Sequence, residues 1–196
     1  MLNWIIEDFS PDNNWHKLYK EVIKQGMECE LVNTNKMNID RFINNGNVII
    51  QSSFQFAEKI NKYHKFNPGV ILTPKNYNCT KYYKYFNDYL FNDEYVIMTV
   101  KETENKIDFL EKILGERESG RIFIRPDSGL KPFSAMVFIN RDPYFRNDWS
   151  YVKNNMKEDE LLIISSPKTL LSEWRFVVVE GKVITGCVYK LDYDIY

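Results

Sequence analysis

The chain has 196 residues, 44% of them apolar and 27% charged, with a formal net charge of −1. This is the composition of an ordinary globular protein, long enough for one good core or two small lobes. The balanced charge gives no global pull toward nucleic acid or an anionic membrane, so neither is expected as a partner.

In chain order, Leu2 to Ile6 reads as a strand, and Ser10-Pro11-Asp12 is a helix start signal. Trp15, Leu18, Tyr19, Val22 and Ile23 then fall at helical spacing up to Gly26. Strands follow at Cys29 to Val32, at Val48 to Gln51 after the Asn44-Asn45-Gly46-Asn47 turn, and at Val70 to Leu72. A helix from Phe54 to Tyr63 lies between the last two. Strands alternating with helices imply crossover connections and a largely parallel sheet. A small α/β lobe is therefore expected over residues 1–92. In Lys81 to Tyr89, bases and aromatics interleave, which could suggest a stacking surface for single strands. Tyr82, Tyr85, Phe86 and Tyr89 also form one helical stripe, and an amphipathic helix is the reading preferred.

From residue 93 the texture changes. Tyr95 to Val100 is a strand, and Ile107, Leu110, Ile113 and Leu114 form a helix stripe stopped by Gly115. The strands near Arg121, Leu161 and Glu173 connect through loops and a hairpin, which favours an antiparallel α+β lobe over residues 93–196. The stretch from Arg141 to Trp149 reads as a loop. The fold class is thus α/β in the broad sense, an α/β lobe followed by an α+β one.

Cys29, Cys79 and Cys187 are odd in number and widely spaced, giving neither a disulfide framework nor a zinc pattern. A reducing cytoplasm is the expected location. MLNWIIEDFS carries two acids and no long apolar core, so it is not a signal peptide, and the longest apolar runs are too short to span a bilayer. His16 and His64 stand alone in helical segments and read as surface histidines. Only Ala57 and Ala135 are alanines, as codon bias in an AT-rich genome would give.

The chemistry gathers in the last third. RIFIRPDSGLKPF, from Arg121, is a strand ending in Arg125-Pro126, then a tight turn, then Lys131. Arg125 can grip phosphate oxygens bidentately, Lys131 can add a point charge, and the turn amides can form an anion-binding concavity. The alternative is a Pro-rich loop whose cations pair with local acids such as Asp127. Neither of the two commonest phosphate cradles, GxxxxGK[ST] and GxGxxG, is present. Further on, Glu180-Gly181 reads as a two-residue hairpin turn. Regular pairing from that turn sets Val177 opposite Ile184, Arg175 opposite Gly186 and Glu173 opposite Val188. One face then carries Glu173, Arg175 and Lys190, with space over the glycine. The other, carrying Trp174, Phe176, Val178, Val183, Cys187 and Tyr189, is the expected core face. An exposed Glu-Arg pair on a solvated face remains the alternative.

FIRPDSGLKPF followed by SEWRFVVVEGKVITGCVYK resembles the ATP-grasp superfamily, and within it a group of phage and bacterial proteins of undefined substrate. The acid-x-Arg hairpin is also similar to that of the ribosomal-protein glutamate ligases. The resemblance covers residues 95–190 and implies that residues 1–92 are a pre-ATP-grasp lobe. It implies a nucleotide as partner: Arg125 and Lys131 would face ATP phosphates, and the segment with Ile164 and Ser165 would be the hinge whose backbone reads adenine. Glu173 would suit the ribose hydroxyls, and Arg175 would lie deeper, toward phosphate. Such a ligase phosphorylates a carboxylate and lets an amine attack it. The resemblance assigns no catalytic residue here and no metal ligand. Mg would be held only with a further C-terminal part, so the chain is expected to be incomplete and inactive alone. Asp192 and Asp194 are not taken as ligands. A non-catalytic remnant acting as a protein-interaction module is the alternative, with a second polypeptide or another copy docking on the open edge of the last strand.

Overall fold

The computed structural model describes residues 4–8, 14–33, 46–63, 66–70, 72–117, 119–139, 142, 144–191 and 194–195. The start signal at residues 10–12, the turn residues 44 and 45, His64, Arg141, Pro143 and Asp192 lie outside them, as does the side chain of Asp194.

The first sheet is parallel throughout, as the strand–helix alternation predicts. It contains β1 (Trp4–Glu7), β2 (Cys29–Val32), β3 (Ile49–Gln51) and β4 (Gly69–Val70), in the order β2-β1-β3-β4. Helix α1 (Asn14–Lys24) runs between β1 and β2, and α2 (Phe54–Tyr63) between β3 and β4. Ile5, Val32, Val48 and Ile50 pack with Phe56 and Ile60 of α2 into one buried cluster.

The second sheet is antiparallel, in the order β5-β8-β6-β7, with β5 at Tyr95–Thr99, β6 at Ile122–Pro126, β7 at Met136–Phe138 and β8 at Leu161–Ser165. Its opposite faces carry three helices, α3 (Cys79–Phe86), α4 (Val100–Leu114) and α5 (Phe145–Asn155). Helix α4 starts at a capping box: Thr99 Oγ1 accepts from the Glu102 amide (3.1 Å), and the Glu102 carboxylate accepts from the Thr99 amide (2.9 Å). Helix α5 occupies the stretch read from sequence as a loop. Trp149, Val152 and Met156 are its buried side, at spacings of three and four. That apolar stripe begins only at Trp149, past a charged and aromatic first turn, which is why the start of the stretch reads as a loop. With Val100, Leu110, Leu114, Ile122, Ile124, Phe138, Leu162 and Ile164 these residues build the largest core cluster, on one face of the sheet.

The other face of the sheet is covered by α3. Here the sequence expectation is corrected. Cys79 and Tyr83 are buried against Ile163, with Tyr82 half-buried beside them, whereas Tyr85, Phe86 and Tyr89 are exposed. The helix is amphipathic, but the buried side is one position over from the stripe the aromatics trace.

Strands β9 (Ser172–Val179), β10 (Lys182–Leu191) and β11 (Asp194–Ile195) form a third sheet in the order β11-β10-β9. The turn falls at Glu180-Gly181 as predicted, both residues having positive φ. The pairing beyond it is not regular. Ile184 and Tyr189 are bulged, so Val177 faces Thr185, Gly186 faces Phe176, Cys187 faces Arg175 and Lys190 faces Glu173. The expected core face is also corrected: Trp174, Phe176, Val178 and Val183 are each more than half exposed, and nothing among the described residues covers them. Among the described residues, no helix is long and apolar enough to cross a membrane.

Candidate functional site: a cationic cleft beside the terminal hairpin

The loop after β6 is anchored by side chains that the sequence alone does not single out. Asp127 is buried, and its carboxylate accepts from the Thr80 amide (2.7 Å) and the Thr80 hydroxyl (3.0 Å) at the start of α3. It thereby satisfies one of the helix's open N-terminal donors. Next to it, Gly129 lies so close to the Pro74–Tyr77 turn that a Cβ would stand 2.6 Å from Tyr77 Cβ and 2.9 Å from the Pro74 carbonyl oxygen. Only glycine lets the loop approach this far.

Held this way, the turn is not an anion cradle. The Gly129 amide donates to Asn78 Oδ1, the Leu130 amide to Ser128 Oγ and the Lys131 amide to the Ser128 carbonyl. These donors are spent on the loop itself, so a backbone concavity built on them is ruled out. Asp127 is likewise engaged with Thr80. What the loop offers is Lys131, exposed and held at φ 50°.

Lys131 shares a cleft of about 610 Å³ with Ser134, Glu173, Trp174, Arg175, Tyr189 and Lys190. The volume is in the range of small-molecule sites. The bulge at Tyr189 shapes it. The extra residue turns the ring onto the face of Arg175, whose guanidinium carbon lies 3.5 Å from the ring centroid. Stacking of this kind fixes a guanidinium while leaving its edge donors available. Gly186, expected beneath Arg175, lies instead under Phe176: a Cβ there would meet the Phe176 ring at 2.5 Å. Lys190 Nζ is 3.9 Å from Glu173 Oε1, both groups partly exposed, so the pair is weak. The cleft therefore gathers three cations around one carboxylate. Like charges held together cost free energy unless an anion or solvent compensates them.

Arg125 stands elsewhere. It is opposite Ile163 on the sheet face covered by α3, where it donates to the Tyr82 hydroxyl. Burial opposes its charge, but Cys79, Tyr82 and Tyr83 outweigh that and hold its pKa above the ordinary value. The same burial, aided by the Cys79 contact, pushes Tyr82 up to about 12. Arg125 does not line the cleft of Lys131 and Arg175, so the structure brings together two of the three cations named from sequence. Lys190 was not among the named site residues, although its alternation with Glu173 and Arg175 was visible. Ile164 and Ser165 are fully buried in β8, paired to β5 and β6 on either side. Chain free to present its backbone to a ligand begins only after Ser165.

A hollow of about 530 Å³ beyond α4 is lined by Asp108, Glu111 and Glu116 alongside Lys112 and Arg117, a mixed set with no preference for anions. No group of three or more His, Cys, Asp or Glu side chains able to hold a metal occurs among the described residues.

A parallel α/β sheet, an antiparallel sheet between helices, and a cationic cleft at a long terminal hairpin together define a protein of the ATP-grasp class. Residues 99–196, half of the chain, match the model of an ATP-grasp domain family, the second family of its clade, and the chain belongs to that family. No curated protein matches it. Among solved structures, it is similar to that of D-cycloserine synthetase DcsG, with a TM-score of 0.52 and 11% identity over 85% of the chain. At that identity the likeness is one of fold. The chain spans 59% of the length of that protein.

Proposed function

We propose that the protein binds ATP, with the cleft of Lys131, Glu173, Arg175 and Lys190 taking the polyphosphate. The observation that carries this reading is the convergence of three cations on one cleft that holds a single acid. Lys131, at a left-handed position beside an anchored turn, supplies a point charge whose place is set by Asp127 and Gly129. Arg175, flattened on Tyr189, presents its fork to phosphate oxygens. Lys190 is drawn off Glu173 when an anion enters, which frees the carboxylate for the ribose hydroxyls. Arg125 is a further cation for the same ligand from the neighbouring sheet face, and the chain after Ser165 is the candidate adenine contact.

In ligases of this superfamily ATP supplies the phosphoryl group that activates a carboxylate toward an amine. D-cycloserine synthetase, the protein with the similar structure, is by its name a synthetase, and the ligase-like reading of this chain rests on the shared family and fold. The residues of the cleft suit a polyanion. With one carboxylate among three cations they do not suit Mg²⁺, and no step runs through a metal. A division into lobes near residue 92 and a cytoplasmic location, the latter from the three free thiols, belong to the same reading.

Calorimetry with ATP tests it. Each cation–phosphate contact should be worth about 1.5–3 kcal/mol, so Lys131→Ala and Arg175→Ala should each weaken binding about tenfold or more, with unchanged melting in the absence of ligand. Unchanged affinity in both variants removes the site. One observation favours the alternative of a non-catalytic interaction module, namely the two uncovered faces of the hairpin. A well-folded chain with no heat of binding for ATP would select that reading.

A further inference from the structure

The β9–β10 hairpin is long, and both its faces are in water. Trp174, Phe176, Val177, Val178, Val179, Val183 and Ile184 are each more than half exposed. A hairpin without a covering layer is marginal at best, and three or more strands or a packed face are normally needed. Surface apolar residues are ordinary when scattered, but a contiguous set marks an interaction site.

The open edge of β10 is unusually unguarded. From Val183 to Tyr189 it reads VITGCVY, with no charge and no proline, the two devices that normally blunt an edge. Cationic residues stand only at its limits, Lys182 and Lys190. The outer side of β10 is already used at one end: β11 returns antiparallel and pairs Ile195 with Lys190 and Asp194 with Leu191. The slot opposite Lys190 is therefore filled by the chain's own residue, which leaves residues 183–189 as the open window.

We propose that this window pairs antiparallel with the same window of a second copy, giving a two-fold dimer that continues the sheet across both hairpins. The occupant follows from the fit of the edge to itself. A two-fold axis at Gly186 overlaps the two seven-residue windows end to end, with the β11 of each copy abutting the turn of the other. In that register the lysines at the limits do not meet, because β11 holds the place opposite Lys190. Inside the window no like charges face each other, so nothing opposes self-pairing. Val183 lies opposite the partner copy's Tyr189, Ile184 opposite its Val188 and Thr185 opposite its Cys187. A two-fold contact is self-complementary and closes, so it ends in a dimer rather than a fibre.

The register makes a covalent test available. Thr185→Cys places a second thiol opposite native Cys187 across the axis, at a spacing a disulfide can span. Sedimentation velocity of the full chain over a hundredfold range of concentration should show a monomer–dimer equilibrium. Thr185→Lys, which charges the middle of the window, should weaken the dimer at least tenfold while leaving the melting of the monomer unchanged. Under oxidised glutathione, Thr185→Cys should convert to a covalent dimer, and Thr185→Cys with Cys187→Ser should not. The proposal is overturned by a chain that stays monomeric at every concentration. It is equally overturned by a dimer that Thr185→Lys does not weaken and that Thr185→Cys does not cross-link.

Discussion

Removing the Asp127 carboxylate tests how the loop that carries Lys131 is held. The group is buried and accepts two hydrogen bonds from Thr80, one from the backbone amide at 2.7 Å and one from the hydroxyl at 3.0 Å. Hydrogen bonds to a charged group are worth about 1.5–3 kcal/mol each, and two that share a carboxylate and a partner residue sum to less than twice that. Asp127→Ala should therefore cost roughly 2–4 kcal/mol, which for a chain of this size lowers Tm by about 5–15 °C. Asp127→Asn keeps an acceptor for the amide and should fall between wild type and alanine. Thr80→Val removes only the hydroxyl. Combined with Asp127→Ala in a double-mutant cycle, it should show coupling of about 0.5–3 kcal/mol, since both changes remove the same bond. Circular dichroism melts of wild type, the two single variants and the double variant give these terms. If Asp127→Ala melts within about 1 °C of wild type, or the two changes add without coupling, this anchor is not what holds the loop. If the anchor holds, Asp127→Ala should also weaken ATP binding, because Lys131 would lose its fixed position.

Gly129→Ala should destabilise the fold by about 1–3 kcal/mol, because the added methyl meets Tyr77 and the Pro74 carbonyl and neither can yield without moving the turn; a chemical-denaturation midpoint compared with wild type checks this. Thr99→Ala should cost about 1 kcal/mol in the same assay through loss of the N-cap of α4. The Glu102 side of that box depends on pH. Hydrogen bonds from the Thr99 backbone and then its hydroxyl lower the Glu102 pKa below its ordinary 4.5, so its contribution is complete above 4.5 and is lost as pH falls through the lower folded value. An acid titration of Tm should show that leg in wild type and a shallower one in Glu102→Gln. With a thiol reagent at neutral pH, exposed Cys187 should react fast and buried Cys79 only on unfolding, while Cys29, pushed up to about 11 by burial, should lag behind Cys187. Three equal rates would contradict the burial assigned to them.

The parallel sheet was legible because its signals are local. Cys29 to Val32 and Phe54 to Tyr63 coincide with β2 and α2, each bounded by turn residues and carrying its own period. Features set by what lies across space were not legible. The side of α3 that is buried depends on Ile163, some eighty residues away, and intrinsic amphipathicity pointed to the more aromatic stripe. Likewise β7 is three residues long and exists because β6 offers an edge, so no period of its own announces it. The cations of the last third were visible as residue types, yet their grouping was not. Arg125 and Lys131 are six positions apart, but the turn between them carries one to the face beneath α3 and the other to the hairpin.

The hairpin shows why the step from residue types to a site failed where it did. A two-residue turn with both φ values positive fixes the first pairs, and regular alternation from there would put Arg175 over Gly186. Each bulge moves the later residues of one strand by one place against the other, and two bulges lie between the turn and Lys190. The first takes Gly186 from Arg175 and gives it to Phe176, whose ring fills the space a side chain would need. The second makes Tyr189 the unpaired residue, and it is this unpaired ring that Arg175 lies on. Nothing in VITGCVYK requires a bulge at Ile184 or Tyr189 on local grounds, so the register could not be read from the sequence. The consequence is nevertheless functional. The two bulges deliver Arg175 and Lys190 to the same face as Glu173 and lay an aromatic floor under the guanidinium, so the cleft is made by the irregularity of the strand rather than by its alternation.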